Sequence, residues 1–374
     1  MVDGDEFRIE RRRLLAALGF TVAAARASAR ELLSTASPTS LRAQLSLNES
    51  PFGPSPGAVE AIQHELPRLF RYTGDELDAL IGEIAQRESV AREQVIIGEV
   101  LEPLGIHLSL AGGPGGEFLY SDPGYTALID AAAAVGGKPV AVPLNASLEN
   151  DLAGIAARIN DRTRAVFLVN PHNPTGILAD AGKLRDFALQ ASRRTLVIVD
   201  EAYLEYADDF QRHTLVDLAR AGGNVIVFRT FDKIHGLAAL GFGYGIVPRD
   251  LARVLMDKGA NNPHLINRLS VAAARASLRS NEHLEQVRKW IAAEREGWFQ
   301  HLHAQNLRHT PSVGNFVFFE TGVPHDEFAA AMREHGVAIG RAYPPYERWA
   351  RISIGLPAEN ALARASVTQV LRKS

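Results

Sequence analysis

The sequence predicts an α/β protein, in which a seven-stranded, mostly parallel sheet is sandwiched by helices in a large domain and a small α+β domain follows. Three observations carry that expectation. Between residues 94 and 247, seven short apolar runs alternate with helical segments, the pattern of a sheet covered on both faces. After Pro248 the pattern changes to long amphipathic helices with a few late strands. At 374 residues the chain exceeds one minimal core and suits a large domain with a smaller companion.

The elements follow in order. Arg11-Arg-Arg13 precedes an uncharged run from Leu14 to Ala25, and Ala27-Ser-Ala29 comes next. A basic head, a short apolar middle and a small-x-small site resemble an export signal of the twin-arginine type over residues 1–29, too short to span a bilayer. The alternative is an amphipathic helix packed on the body. Residues 30–70 read as an arm that forms part of the small domain, because Leu45 to Gly57 is too rich in Pro, Gly and Asn for a helix or a central strand. Helices are expected at 57–66 and 75–88, the second with apolar spacing at Leu77, Leu80, Ile81 and Ile84.

The large domain is expected over 71–250. Its strand runs are Gln94 to Gly98, Glu117 to Asp122, Pro139 to Pro143, Arg164 to Val169, Thr195 to Asp200, Asn224 to Phe228 and Phe242 to Val247. Asn170, Asp200 and Arg229 end three of them or follow directly, where open α/β sheets bind ligands. The small domain is expected over 251–374. It has a long helix from Glu282 to Gln305, with Val287, Trp290, Ile291, Trp298 and Leu302 facing the core. Strands near Asn315–Phe319, Val337–Ile339 and Ala350–Ile354 and a last helix over about 358–372 complete it.

Composition narrows the function classes. A hydrophobic share of 46%, a charged share of 22% and a net charge of −3 describe an ordinary globular protein with no basic surplus for nucleic acid. With no cysteine, thiolate metal sites, disulfides and cysteine nucleophiles are excluded. No metal is called for.

Three features carry chemistry. Lys233 sits in an apolar, Gly/Ala-rich turn after a buried strand, where a less solvated amine suits Schiff-base formation. Asp200 closes a fully apolar strand, so it needs a cationic partner or a protonated ring nitrogen. Asn170-Pro-His-Asn173-Pro-Thr-Gly176 follows another buried strand.

The ordered set resembles the fold-type I pyridoxal-phosphate aminotransferases, and most closely the histidinol-phosphate aminotransferase group. The resemblance covers about residues 45–372 and runs through Leu47-Asn-Glu-Ser-Pro-Phe-Gly-Pro-Ser-Pro56, Arg71-Tyr72, Asp122-Pro-Gly-Tyr125, Asn173-Pro-Thr-Gly176, Asp200-Glu-Ala-Tyr203, Thr230-Phe-Asp-Lys233 and Arg351-Ile-Ser-Ile-Gly355. It implies the fold-type I architecture, pyridoxal 5′-phosphate as cofactor and transfer of an amino group between an amino acid or amino alcohol and a 2-oxo acid. By the same resemblance Lys233 is the Schiff-base lysine and proton carrier, and Asp200 holds the ring nitrogen protonated. Asn173 and Tyr203 bond the ring oxygen, Tyr125 stacks on the ring, and Thr230 belongs to the cofactor phosphate site. Arg351 grips the substrate carboxylate or phosphate, with Arg341 and Asn48 as further substrate contacts. Tyr72 reaches the neighbouring subunit's cofactor, which implies a homodimer with shared sites.

Departures from the family pattern gather on the cofactor phosphate. The usual Gly-x-Gly-Ser-x-Glu reads Gly98-Glu-Val100-Leu101-Glu-Pro103, a serine is replaced by Asp232, and an arginine by Gly241. Arg229 or His235 is a candidate substitute. If the cup is lost, the alternative is a repurposed site for another reaction such as decarboxylation, elimination or cyclisation.

Overall fold

The computed structural model describes residues 40–372. The segment read as an export signal lies outside them. Seven strands form the central sheet: β2 (Val95–Gly98), β3 (Glu117–Asp122), β4 (Lys138–Pro143), β5 (Thr163–Val169), β6 (Leu196–Asp200), β7 (Val225–Thr230) and β8 (Gly243–Ile246). They lie in the order β2-β8-β7-β6-β5-β3-β4; β8 pairs antiparallel with both β2 and β7, and all the other pairings are parallel. Every predicted run becomes a strand; the central β5, β6 and β7 are apolar stretches buried on both faces, whereas the edge strand β4 is largely exposed. In β6, Val197, Ile198 and Val199 are wholly buried.

Alternate residues of the central strands feed two cores. Ala165, Phe167, Ile198 and Ile226 pack on one face, and Val166, Leu168, Val197 and Val199 on the other, as the period-two geometry of a strand requires. Helices Arg249–Asp257 and Arg268–Leu278, which lie past residue 250, place their buried residues in the cores around this sheet. Ala252 and Leu255 join the first face, and Val271, Ala273 and Ala274 pack with Leu77, Leu80 and Phe231.

A third core holds the smaller sheets. β9 (Phe316–Glu320) pairs antiparallel with β11 (Trp349–Ser353), and β1 (Ala43–Leu45) pairs parallel with β10 (Val337–Ile339). Helix Asn281–Ala304 buries Val287, Ile291, Trp298 and Leu302 against them. Trp290 differs from expectation: it is 43% exposed and stacks on Phe52 of the arm, 4.6 Å between ring centroids. The arm then passes Gly236, whose backbone has φ +70° and where a Cβ would stand 2.2 Å from the Gly53 carbonyl oxygen. That glycine makes room for the arm's backbone, so Asn48 is brought behind the site, against Tyr203.

Candidate active site

The carboxyl ends of β5, β6 and β7 open into a cavity of about 310 Å³. Asp200 ends β6 on its floor and is 3% exposed. Burial pushes its carboxyl up to about 7, although Ala202 N–H donates to it at 2.9 Å and Lys233 stands nearby. A carboxylate so stripped of water is matched to a cation brought by a ligand, such as a protonated ring nitrogen. Lys233 lines the same cavity from the turn after β7, half-buried, with Nζ 6.0 Å from the Tyr203 ring centroid.

Two neighbours are fixed from behind. The Tyr203 hydroxyl accepts from Asn48 Nδ2 at 3.1 Å, while Ser353 Oγ donates to Asn48 Oδ1 at 3.0 Å. Asn48 is 1% exposed and does not line the cavity; its position makes it a holder of Tyr203 rather than a wall. Arg351 Nη1 donates to Asn173 Oδ1 at 2.7 Å and Nη2 donates to the Ser46 carbonyl at 2.6 Å. Its buried Nε has no hydrogen-bond partner. The guanidinium lies 5.4 Å from the Tyr343 ring centroid, and that of Arg341 lies 4.3 Å from the same ring, so two cations share one aromatic wall. Tyr125 lines the opening and is partly exposed, and burial pushes its hydroxyl up. Tyr72 is elsewhere: it is 70% exposed on the outer surface beside His264.

The remaining wall is made by Glu99, Leu101, Glu102, Thr230, Asp232 and Phe242. Burial, Glu102 and Asp232 together push the Glu99 carboxyl up to about 6. Thr230 Oγ1 donates to the Phe242 carbonyl at 3.3 Å and accepts from Asp232 N–H at 3.0 Å. Helix Leu101–Ala111 starts at this wall with Val100 as an N-cap that supplies no side-chain hydrogen bond. A Cβ on Gly241 would stand 2.4 Å from Glu99 Oε1, so the carboxylate fills the space beside the glycine.

Neither candidate substitute reaches this wall. Arg229 turns away into a buried network, 2.5 Å from Glu88 Oε1 and 3.0 Å from Glu201 Oε2, with Tyr244 also on Glu88 at 2.8 Å. His235 bonds Ser277 Oγ at 2.7 Å and Glu205 at 3.3 Å. Asn170 accepts from Ala179 N–H at 2.9 Å, so of the three strand-end residues only Asp200 lines the cavity. Among the described residues of the cavity wall, the basic ones are Lys233, Arg341 and Arg351.

The residues present therefore fit the ring end of pyridoxal phosphate and not its phosphate end. The ring end has a desolvated acid, an amine, two polar holders and an aromatic. The other end has three carboxylates. Glu99, Glu102 and Tyr343 are the site residues that sequence reasoning missed, although the first two lay within the stretch Gly98 to Pro103 already singled out and the third stands two residues after Arg341.

Comparison with known proteins shows the family. The profile of the aminotransferase class I and II family matches residues 43–365. Histidinol-phosphate aminotransferase of Moorella thermoacetica is 33% identical, over 88% of this chain and 85% of its own length. Aromatic amino acid aminotransferase of Cutibacterium acnes is 34% identical, over 88% and 92%. The crystal structure of histidinol-phosphate aminotransferase from Sinorhizobium meliloti in complex with pyridoxal-5′-phosphate superposes with a TM-score of 0.79 at 30% identity, covering 89% of this chain and 92% of that one.

Proposed function

The chain belongs to the class I and II aminotransferases and is a pyridoxal-phosphate-dependent transaminase resembling histidinol-phosphate aminotransferase, and we propose that its amino donor carries an anionic group seated on Arg351. The observation that carries the assignment is that Lys233, Asp200 and Arg351, far apart in sequence, line one cavity. When bound, the cofactor supplies an electron-accepting ring that stabilises charge developing at the substrate Cα.

The chain's own groups divide the remaining work. Lys233 would hold the cofactor and carry the proton at the substrate Cα. Asp200, whose buried carboxylate needs a counter-charge, would keep a proton on the ring nitrogen. Asn173 and Tyr203 would hold the ring's hydroxyl oxygen, and Tyr125 would cover a ring face. Arg351, braced by Asn173 and Ser46, orients the substrate by its carboxylate or phosphate. Arg341, on the same Tyr343 wall, adds a second cation for an amino acid or amino phosphate.

A homodimer is part of this reading. Phe70, Tyr72 and Leu265 are 77%, 70% and 75% exposed, and the Tyr72 ring lies 4.5 Å from that of His264, next to Leu265 in the chain, so the two segments that carry these apolar side chains meet. Such a patch suits a symmetric interface. Among the described residues no helix is long and apolar enough to cross a membrane. Export of the folded protein on the Arg11–Arg13 segment is part of the same proposal.

The test is a substrate panel. Full-length protein with added cofactor is mixed with histidinol phosphate, aromatic amino acids, aspartate and an unphosphorylated amino alcohol, each with 2-oxoglutarate, and glutamate is measured. Turnover of a donor bearing a carboxylate or phosphate, lost in Arg351→Ala, supports the reading. A preference for donors with no anionic group sinks it.

A further inference from the structure

We propose that the wall of Glu99, Glu102 and Asp232 removes this site's preference for the phosphorylated cofactor, so that it takes pyridoxal about as readily as pyridoxal phosphate. The inference rests on the transaminase reading and concerns the same cavity.

The placement follows from ring chemistry. On the pyridine ring the carbon that bonds the lysine lies between the ring oxygen and the arm that carries the phosphate. With Lys233 on the first, and Asn173 and Tyr203 on the second, the arm is left the one remaining wall. That wall holds Glu99, Glu102 and Asp232. A dianion there meets like charges on three side chains, and the basic residues of the cavity wall are all needed elsewhere: Lys233 at the ring, Arg341 and Arg351 beside Tyr343. The two cations nearest in sequence, Arg229 and His235, are already paired with Glu88, Glu201 and Glu205.

Three further observations agree. Glu99 stands in the space a side chain at 241 would need, so the missing cation is replaced by an anion and not merely absent. Gly241 has φ +53°, a conformation that disfavours a side chain in its own right. The helix start at Val100 does present unpaired N–H groups, but Glu102 in its first turn and Glu99 before it already answer that dipole. Within the subunit's own wall, what remains for a phosphate is the Thr230 hydroxyl, whose proton goes to the Phe242 carbonyl.

A cup with three charge-assisted donors favours the phosphorylated form by roughly a thousandfold. Here the expected ratio is below about tenfold. The experiment titrates full-length, cofactor-free protein with pyridoxal phosphate and with pyridoxal, following the visible absorbance. Borohydride reduction and peptide mass then show which form Lys233 carries. The variant Glu99→Gln with Asp232→Ser removes two of the repulsive charges; it is expected to raise affinity for pyridoxal phosphate at least tenfold and leave pyridoxal within about threefold. Parent affinities within tenfold of each other, with a selective gain in the variant, establish the inference. A hundredfold or greater parent preference for the phosphate form, or a variant without selective gain, overturns it and leaves the transaminase reading standing. Absence of visible absorbance with either compound overturns both.

Discussion

Arg351 Nη1 donates to Asn173 Oδ1 at 2.7 Å, which couples the proposed substrate anchor on β11 to the proposed ring holder after β5. In that reading one side chain sets the position of both reactants. Arg351→Lys keeps the charge but loses the planar fork. One charged hydrogen bond is worth about 1.5–3 kcal/mol, so KM for a carboxylate donor is expected to rise roughly 10- to 150-fold. Steady-state kinetics on the donor found in the panel decide it, and an unchanged KM places the substrate anion elsewhere.

Lys233→Ala is expected to abolish transamination and the visible chromophore. The side chain is half-buried and lies at the cavity wall, outside the packed cores, so the melting temperature of cofactor-free protein should move by no more than a few degrees. Residual turnover at the parent rate removes Lys233 from the chemistry.

Asp200 gives a pH signature. Burial raises its carboxyl to about 7. Below the ordinary carboxylate range, near 4, it is protonated in both folded and unfolded chains and costs nothing. Between about pH 4 and 7 the unfolded chain gives up this proton while the folded chain keeps it, so stability falls across that window, by an upper bound on the order of 4 kcal/mol, and levels off above 7. Asp200→Asn in cofactor-free protein should match the parent at pH 4 and exceed it at pH 8 in chemical denaturation. The same variant should lose activity at every pH. Parallel stability profiles for parent and variant contradict the assignment.

Arg229 is structural in this fold. Its guanidinium is 3% exposed between Glu88 and Glu201, which are also buried. Arg229→Met leaves two carboxylates without their cation and is expected to cost about 3–5 kcal/mol. Urea denaturation measures it. A loss below about 1 kcal/mol would mean that the two acids ride neutral.

The proposed export segment predicts a mature chain that begins near Arg30, outside the cytoplasm. N-terminal sequencing of protein from its native source checks this. Retention of residues 1–29 in the mature protein refutes it.

The fold was legible because the evidence for it is local. An unbroken apolar run such as Leu196 to Val199 can be buried on two faces at once in a sheet, and each of the seven runs became a strand. The ring end of the site was legible for a related reason, since Asp200 stands out as a charge ending an apolar strand. The far wall was legible in part: Asp232 and Gly241 stood out as departures from the family pattern, while Glu99, 133 positions before Asp232, acts on it only once the β2 and β7 loops meet and does not show in a pattern of neighbours. Arg229 is the converse case. A cation at a strand end reads as a ligand anchor until Glu88, on a helix before the first sheet strand, is seen to hold it. Trp290 has helical spacing with the core and still stays outside it, because Phe52 of the arm offers a partner that periodicity does not encode.

The pairing of β1 with β10 sets a schedule for the chain's synthesis. Ala43 finds its partner Val337 only after almost all of the chain has been made. At roughly 5–20 residues per second, tens of seconds pass in which the arm has nowhere to dock. The residues next to the arm on its amino-terminal side are those that resemble a twin-arginine signal, an address for cargo that travels folded. Docking of Ala43–Leu45 onto Val337–Ile339 would then coincide with the end of translation. A nascent chain would present its address from the start, yet become a competent passenger only once its last elements were in place.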